Sequence, residues 1–202
     1  MQAEAKKGLI NVAASEVAPL RSNIDGAVVV QQAGGKYTEA VREARVFVAA
    51  NQAAVAVTAA MATTYTGLVI ENPTTSGKNF VMLQVSYACT VAVPTATALG
   101  LMTGLDAGDA AAAITPRNRF TGGAASVAIV DNGCTLTGTP VLEQVFATAW
   151  TEATTAGTLG HPNVVDLDGS LILTPGYYAA IYSTAANTAA FLFGFMWEEV
   201  PT

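Results

Sequence analysis

Charge is what this chain has least of. Only 24 of its 202 residues are charged, 15 acidic and 9 basic, or 12%, where a globular domain usually carries about 25%. A folded monomer of 20.6 kDa exposes roughly 8,900 Å², so one charge serves roughly 370 Å². That coat is sparse for a free monomer and predicts that other chains cover part of the surface. Basic clusters are also missing: the nine cations are scattered and the net charge is −6, which argues against a phosphate-binding face. Histidine occurs once, at His161, which leaves no histidine-rich metal site. Two cysteines, Cys89 and Cys134, are too few for a disulfide scaffold or a cysteine-rich zinc site. Long apolar runs are absent too. The longest candidate, Val46 to Met61, is interrupted by Asn51 and Gln52 and falls short of about 18 apolar residues. The segment after Lys6 and Lys7 is broken by Asn11 and Glu16, so it does not read as a signal peptide.

Small residues fill the space that charge leaves. There are 39 alanines, 25 threonines and 18 glycines, and 51% of the chain is hydrophobic, enough to bury a core and to exclude general disorder. Residues 1–24 lack a clear period and lead into a Ser22 to Gly26 turn run, so they read as an N-terminal docking arm ahead of a single domain over 25–202. Strand signals begin at Ala27 to Gln32, and Lys36 to Ala50 reads as extended. Within it, Glu39 and Arg42 lie one helical turn apart, but the stretch follows Gly34-Gly35 and runs into Val46-Phe47-Val48. The clearest strand is Asn79 to Val93, with Val81, Leu83, Val85, Tyr87, Cys89, Val91 and Val93 on one face. A strand over Thr66 to Glu71 and the Asn72 to Gly77 turn precede it as a hairpin or a sheet-to-sheet corner. Further strands are expected at Ala98 to Met102, Ala125 to Val130, Val141 to Trp150, Ser170 to Leu173, Tyr177 to Ser183 and Ala189 to Val200. Eight or more strands without a long amphipathic helix predict an all-β, antiparallel, jelly-roll-like sandwich. Thr103 to Gly123, with its alanine run and Arg117, Asn118 and Arg119, reads as a long connecting loop of the kind that meets partners or is simply solvated.

The apparent motifs do not survive their chemistry. Asn72 to Asn79 ends in Gly77-Lys78 like a phosphate loop, but Asn72 stands where its first glycine belongs, Asn79 where its hydroxyl belongs, and a strand follows. Asp166-Leu167-Asp168-Gly169 starts like a calcium loop, yet Tyr177 stands where the closing glutamate should be. An Asp-Gly hairpin turn is the simpler expectation, with an ion across Asp166 and Asp168 as the alternative. Asp131-Asn132-Gly133 likewise reads as a turn before Cys134. No strained Gly-x-Ser-x-Gly turn accompanies His161. Glu198 and Glu199 are adjacent on a strand and should point to opposite faces. Phe191, Phe193, Phe195 and Trp197 share one face at period two, and a core is the simplest account of them. No catalytic, cofactor-binding or metal-binding residue is expected.

Four passages resemble tailed-bacteriophage capsid decoration (cement) proteins. They are Gly35-Lys36-Tyr37-Thr38-Glu39-Ala40 running into Arg45-Val46-Phe47 and Asn51-Gln52; Ala62-Thr63-Thr64-Tyr65-Thr66-Gly67-Leu68 leading to Glu71-Asn72-Pro73; Ser76-Gly77-Lys78-Asn79 with Phe80 to Val85; and Pro175-Gly176-Tyr177-Tyr178 with Trp197-Glu198-Glu199-Val200-Pro201. The resemblance implies a structural virion protein, often trimeric, on the capsid exterior, with the major capsid protein and further copies of itself as partners. It implies no nucleic-acid or membrane partner, no cofactor and no catalytic residue. The competing expectation is a receptor- or carbohydrate-binding module of a phage tail or fibre, for which Tyr65, Phe120 and Trp150 would have to be exposed. A small hydrolase would need a pocket joining His161 to Asp166 or Asp168.

Overall fold

A computed structural model describes residues 34–59, 61–91, 93, 95–105, 114–149 and 163–202 of the chain. Two units are distinguished, Met1–Thr38 and Glu39–Thr202, and the second holds the fold. The expected docking arm and the Ala27 to Gln32 strand lie outside the described residues. In chain order the elements are α1 (Thr38–Arg42), β1 (Val46–Ala50), β2 (Val55–Val57), β3 (Thr64–Glu71), β4 (Lys78–Cys89), β5 (Thr97–Leu105), β6 (Arg117–Asn118), β7 (Ile129–Thr135), β8 (Val141–Ala149), β9 (Asn163–Leu173), β10 (Tyr177–Ser183) and β11 (Asn187–Pro201).

The strands form a two-sheet antiparallel β-sandwich, as the strand pattern predicts. One sheet runs β6-β1-β11-β4-β9, with β2 also on β11, and the other runs β7-β3-β10-β5-β8. The second half of the chain folds back along the first: β5 pairs with β8, β4 with β9, β3 with β10 and β1 with β11. Asn72 to Gly77 is therefore a corner between sheets. Asn72 fixes it, donating its amide N–H groups to the Lys78 and Leu173 carbonyls, both at 2.8 Å, while its main chain bonds Gly176 and Tyr177 at the neighbouring corner.

Between the sheets lies the core. Phe191, Phe193, Phe195 and Trp197 are all buried on the inner face of β11, and Trp197 stacks on Phe47 with ring centroids 6.1 Å apart. Each such side chain contributes roughly 2–3 kcal/mol of burial. β10 is buried on both faces. Ala179 and Ile181 enter the main core, while Tyr178 and Ala180 join a second cluster with Tyr65, Val69, Met102 and Leu136.

Local signals misplace several features, most of them for a reason of pairing: the strand expected at Ala125 to Val130 begins only at Ile129, and Arg117–Asn118, expected in a loop, pairs with β1. β4 does not keep one apolar face. Its register slips at Leu83 against both neighbours, Met82 opposing Trp197 and Leu171 but Gln84 opposing Met196 and Asp166. Phe80 and Met82 therefore point inward before the slip and Val85 after it, whereas Val81 is only half-buried and Val91 is exposed. Asp166 to Gly169 is not a hairpin turn but the opposite side of that slip, inside β9, with Asp168 and Gly169 at φ +52° and +79°. Asp131 to Gly133 lies within β7, beside a bulge between Thr66 and Val69 of β3. Finally, Tyr37 to Arg45 is not extended throughout, because Thr38–Arg42 forms one helical turn in which Arg42 donates to Glu39 at 3.1 Å.

Candidate functional site

Several of the large apolar side chains on the surface belong to the two outer strands of one flank, on the outer faces of both sheets. β8 and β9 are the outermost strands of their sheets among the described residues, and the Tyr87 ring of β4 meets Phe146 of β8 at 5.8 Å, so both edges lie on the same side of the sandwich. Val141 and Val145 on β8 are 61% and 54% exposed, and Val164 and Ile172 on β9 are 62% and 52% exposed. Val145 pairs with Gly100 and faces out from one sheet, whereas Val164 and Ile172 pair with Ser86 and Val81 and face out from the other; Leu105, at the end of β5, is 61% exposed. Exposed aliphatic strand edges invite pairing with other chains unless charge or proline blocks them. β8 and β9 carry no Lys, Arg or Pro; their charges are the carboxylates of Glu143, Asp166 and Asp168.

The opposite flank is different in chemistry. Segment 114–119 switches sheets there: the Ile114 amide donates to the Val130 carbonyl of β7, and the Arg119 amide to the Val46 carbonyl of β1. Where the segment leaves β1 a cleft of about 530 Å³ opens, lined by Ala50, Gln52, Ile114, Thr115, Arg117 and Asn132, among others. Its size falls in the range of ligand and side-chain pockets. The β1 register explains the opening. Asn51 and Arg45 bond toward β11, so by antiparallel alternation Val46, Val48 and Ala50 direct their main-chain groups the other way. Val48 pairs with Arg117, but the ladder ends before Ala50, whose carbonyl accepts from Gln52 instead at 3.0 Å. The Asn132 Oδ1 is buried and has no hydrogen-bond partner. Arg117 and Arg119 are exposed on this side.

Other sequence candidates occupy structural roles. Glu198 and Glu199 point to opposite faces as expected. Glu198 pairs with Arg45, whereas the Glu199 carboxylate, with no exposed side-chain surface, accepts from Lys78 at 2.6 Å, from Ser126 and from the Val127 amide at 3.1 Å. Asp166 accepts from Gln84 at 2.6 Å, and among the described residues no group of three His, Cys, Asp or Glu is placed to hold a metal. His161 and Trp150 lie outside the described residues. Tyr65, wanted at the surface for a sugar site, is buried, donating its hydroxyl to the Ile181 carbonyl at 2.8 Å; Phe120 is exposed. Burial pushes the Tyr65 hydroxyl well up, with Cys134 nearby adding to it, and pushes Tyr178 up to about 12. No disulfide joins Cys89 and Cys134, which lie on different sheets. Burial pushes the Cys89 thiol up, away from the thiolate a nucleophile needs.

Sequence reasoning did not find the first flank; of the second it singled out Arg117, Asn118 and Arg119 as part of a loop that meets partners or is simply solvated. The signal available for the first was the pair Val141 and Val145 beside Glu143 and Gln144, apolar residues on a polar stretch. Compared with family models, curated proteins and solved structures, the chain matches none.

Proposed function

We propose that this chain is a structural virion protein, a capsid decoration or cement protein that associates with itself and binds the outside of a tailed-phage icosahedral shell. The observation that carries the reading is the β8/β9 flank, two outer strands with exposed valine and isoleucine and no cation, on a chain with half the usual charge. Such a flank is stabilised by burial against another protein. The nested strand pairing supports the jelly-roll form of the sandwich, an architecture common in viral shells, and the four passages of family resemblance give the shell as partner. A cement protein acts by mass action, binding the assembled lattice in preference to free subunits, and repeated weak contacts suffice when many copies bind at once.

Shell binding is the test. Purified protein is expected to co-sediment with shells that lack it and to raise their resistance to heat or osmotic shock. Val145→Asp and Val164→Asp, both at exposed positions, should keep the fold and lose at least 10-fold in binding. Failure of the unmodified protein to sediment with shells at any concentration overturns the reading. For the tail-module alternative, the exposed Phe120 is the supporting observation, and glycan binding abolished by Phe120→Ala would favour it instead.

A further inference from the structure

We infer that the outward face of the β6-β1-β11-β4-β9 sheet pairs with the same face of a second copy, about a two-fold axis that runs along β11. This rests on the self-association proposed above and names its surface; it is a two-copy contact, whereas the family resemblance implies three copies and no surface. The strand registers define the face. Phe47, Phe193, Phe195 and Trp197 point into the core, so the residues between them point out. The pairings then set Arg117, Val48, Met196, Gln84 and Asp166 side by side across five strands, and Gln84 donates to Asp166 at 2.6 Å on that face. Ala50 and Gly194 flank this row on one side, Val81 and Ile172 on the other. A sheet with one face in a core ordinarily turns polar residues to water on the other. Here the outward residues from Leu192 to Val200 of β11 include one charge, Glu198, and Arg45 of the same chain neutralises it.

Charge identifies what covers this face. The central row begins with an exposed cation, Arg117, and ends with an exposed carboxylate, Asp166, each two strands from Met196. Arg119, whose amide extends the β6 ladder to Val46, adds to the positive edge, and Asp168 in the β9 bulge adds to the negative one. Rotation about β11 exchanges β6 with β9 and β1 with β4 and leaves each row in place. Arg117 of each copy then faces Asp166 of the other, Val48 faces Gln84, and Met196 faces Met196. An isologous contact needs one patch that fits itself, and opposite charges at equal distances from the axis meet that need while opposing other registers. Face-to-face sheets pack about 10 Å apart, a gap that an arginine and a carboxylate together span. The face measures roughly 20 Å by 20 Å between its outermost rows. Two such faces bury on the order of 1,000 Å² in total, the lower limit of a specific interface, so the pair is expected to be weak.

Sedimentation of the full chain without shells tests this, so that its failure leaves shell binding a separate question. The unmodified protein is expected to show a monomer–dimer equilibrium with its midpoint in the micromolar range. Arg117→Glu and Asp166→Arg, each at an exposed position, set like charges over one another twice per pair and should each weaken pairing at least 10-fold. Their equimolar mixture restores opposite charges at both ends, so it should dimerise as the unmodified chain does, which also shows that both variants are folded. Met196→Asp brings two carboxylates together on the axis and should abolish the dimer, whereas Val145→Asp, on the other sheet, should leave it intact. A monomeric unmodified protein at several hundred micromolar overturns the inference. So does a mixture that pairs no better than its components, or a dimer that Val145→Asp disrupts and Arg117→Glu does not. A chain that stays monomeric and loses shell binding through Met196→Asp would overturn it too, by showing that the shell covers this face.

Discussion

Replacing Glu199 and Glu198 separately by alanine perturbs two adjacent carboxylates of the same strand, and the structure assigns them very different consequences. Glu199 continues the inward row of Phe195 and Trp197, and its side chain has no exposed surface. Its loss removes the partner of Lys78 and leaves the Ser126 hydroxyl and Val127 amide without their acceptor. Hydrogen bonds to a charged group contribute about 1.5–3 kcal/mol each, and removing one partner of a buried pair costs about 3–5 kcal/mol. Lys78 keeps 35% of its side chain in water and can turn outward, so the lower part of that range applies, about 3 kcal/mol. Glu198 faces outward and meets Arg45, which also pairs with Glu43. The pair is part-buried, with 18% of the Glu198 side chain exposed, but Arg45 retains that second partner, so the loss should be about 1 kcal/mol. Urea denaturation followed by tryptophan fluorescence measures both variants, and the slope with urea should be unchanged. Equal losses, or a larger loss at Glu198, would refute the placement of the two side chains.

The second cluster offers a cycle of its own. A Cβ at Gly104 would lie 2.4 Å from the buried Tyr178 Oη, so Gly104→Ala should cost about 2 kcal/mol by overpacking. Tyr178→Phe removes a hydroxyl with no hydrogen-bond partner and should be close to neutral, while restoring much of the loss when combined with Gly104→Ala; additive losses would count against the contact. Alkaline titration followed by tyrosine absorbance should show Tyr65 and Tyr178 resisting ionisation. Their folded values lie above the ordinary value near 10, so the unfolded chain releases these protons first. Stability is therefore full below about pH 10 and falls as pH rises through the folded values; stability that is flat from pH 9 to 12 would contradict this. Asn72→Ala should cost about 2 kcal/mol in thermal or urea unfolding, because the Leu173 carbonyl loses its buried donor while the part-buried Lys78 carbonyl keeps the Ser76 hydroxyl.

How much of this was legible depended on whether a feature is local. The inward row from Phe191 to Trp197 and the opposed faces of Glu198 and Glu199 follow from period two alone. Tyr177–Ser183 was bounded by Pro175-Gly176 on one side, and its limits came out as expected. Bulges were not legible, since a bulge is a relation between strands. Nothing near Leu83 says that Met82 will oppose Leu171 while Gln84 opposes Asp166, so an unbroken alternation from Val81 to Val93 was the natural reading. Asp168-Gly169 and Asp131-Asn132-Gly133 use residues that tolerate positive φ, which serve turns and bulges alike. The β8/β9 flank was hidden for a related reason. Whether Val145 meets solvent depends on β8 being last in its sheet, and that follows from pairings between residues tens of positions apart.

Sparse charge takes on a more definite meaning once the ion pairs are placed. Six cations lie among the described residues. Arg42 is held by Glu39, Arg45 by Glu43 and Glu198, and Lys78 by Glu199, while Lys36 sits over the Tyr37 ring. Those four are engaged within the chain, which leaves Arg117 and Arg119 at the cleft as the two whose charge is turned outward. On the far flank the carboxylates of Glu143, Asp166 and Asp168 accompany the exposed aliphatics. With so few charges elsewhere, the two outward arginines and the acidic β8/β9 flank stand apart on the chain. The same composition gives little protection against association through the aliphatic edge, and a chain with ordinary surface charge would show neither property. Raising ionic strength should therefore weaken shell binding through this edge only modestly, since its apolar part is unscreened. Val145→Asp should weaken that binding at least 10-fold at any salt concentration. If salt alone released the protein fully from shells, electrostatics rather than aliphatic burial would be holding it there.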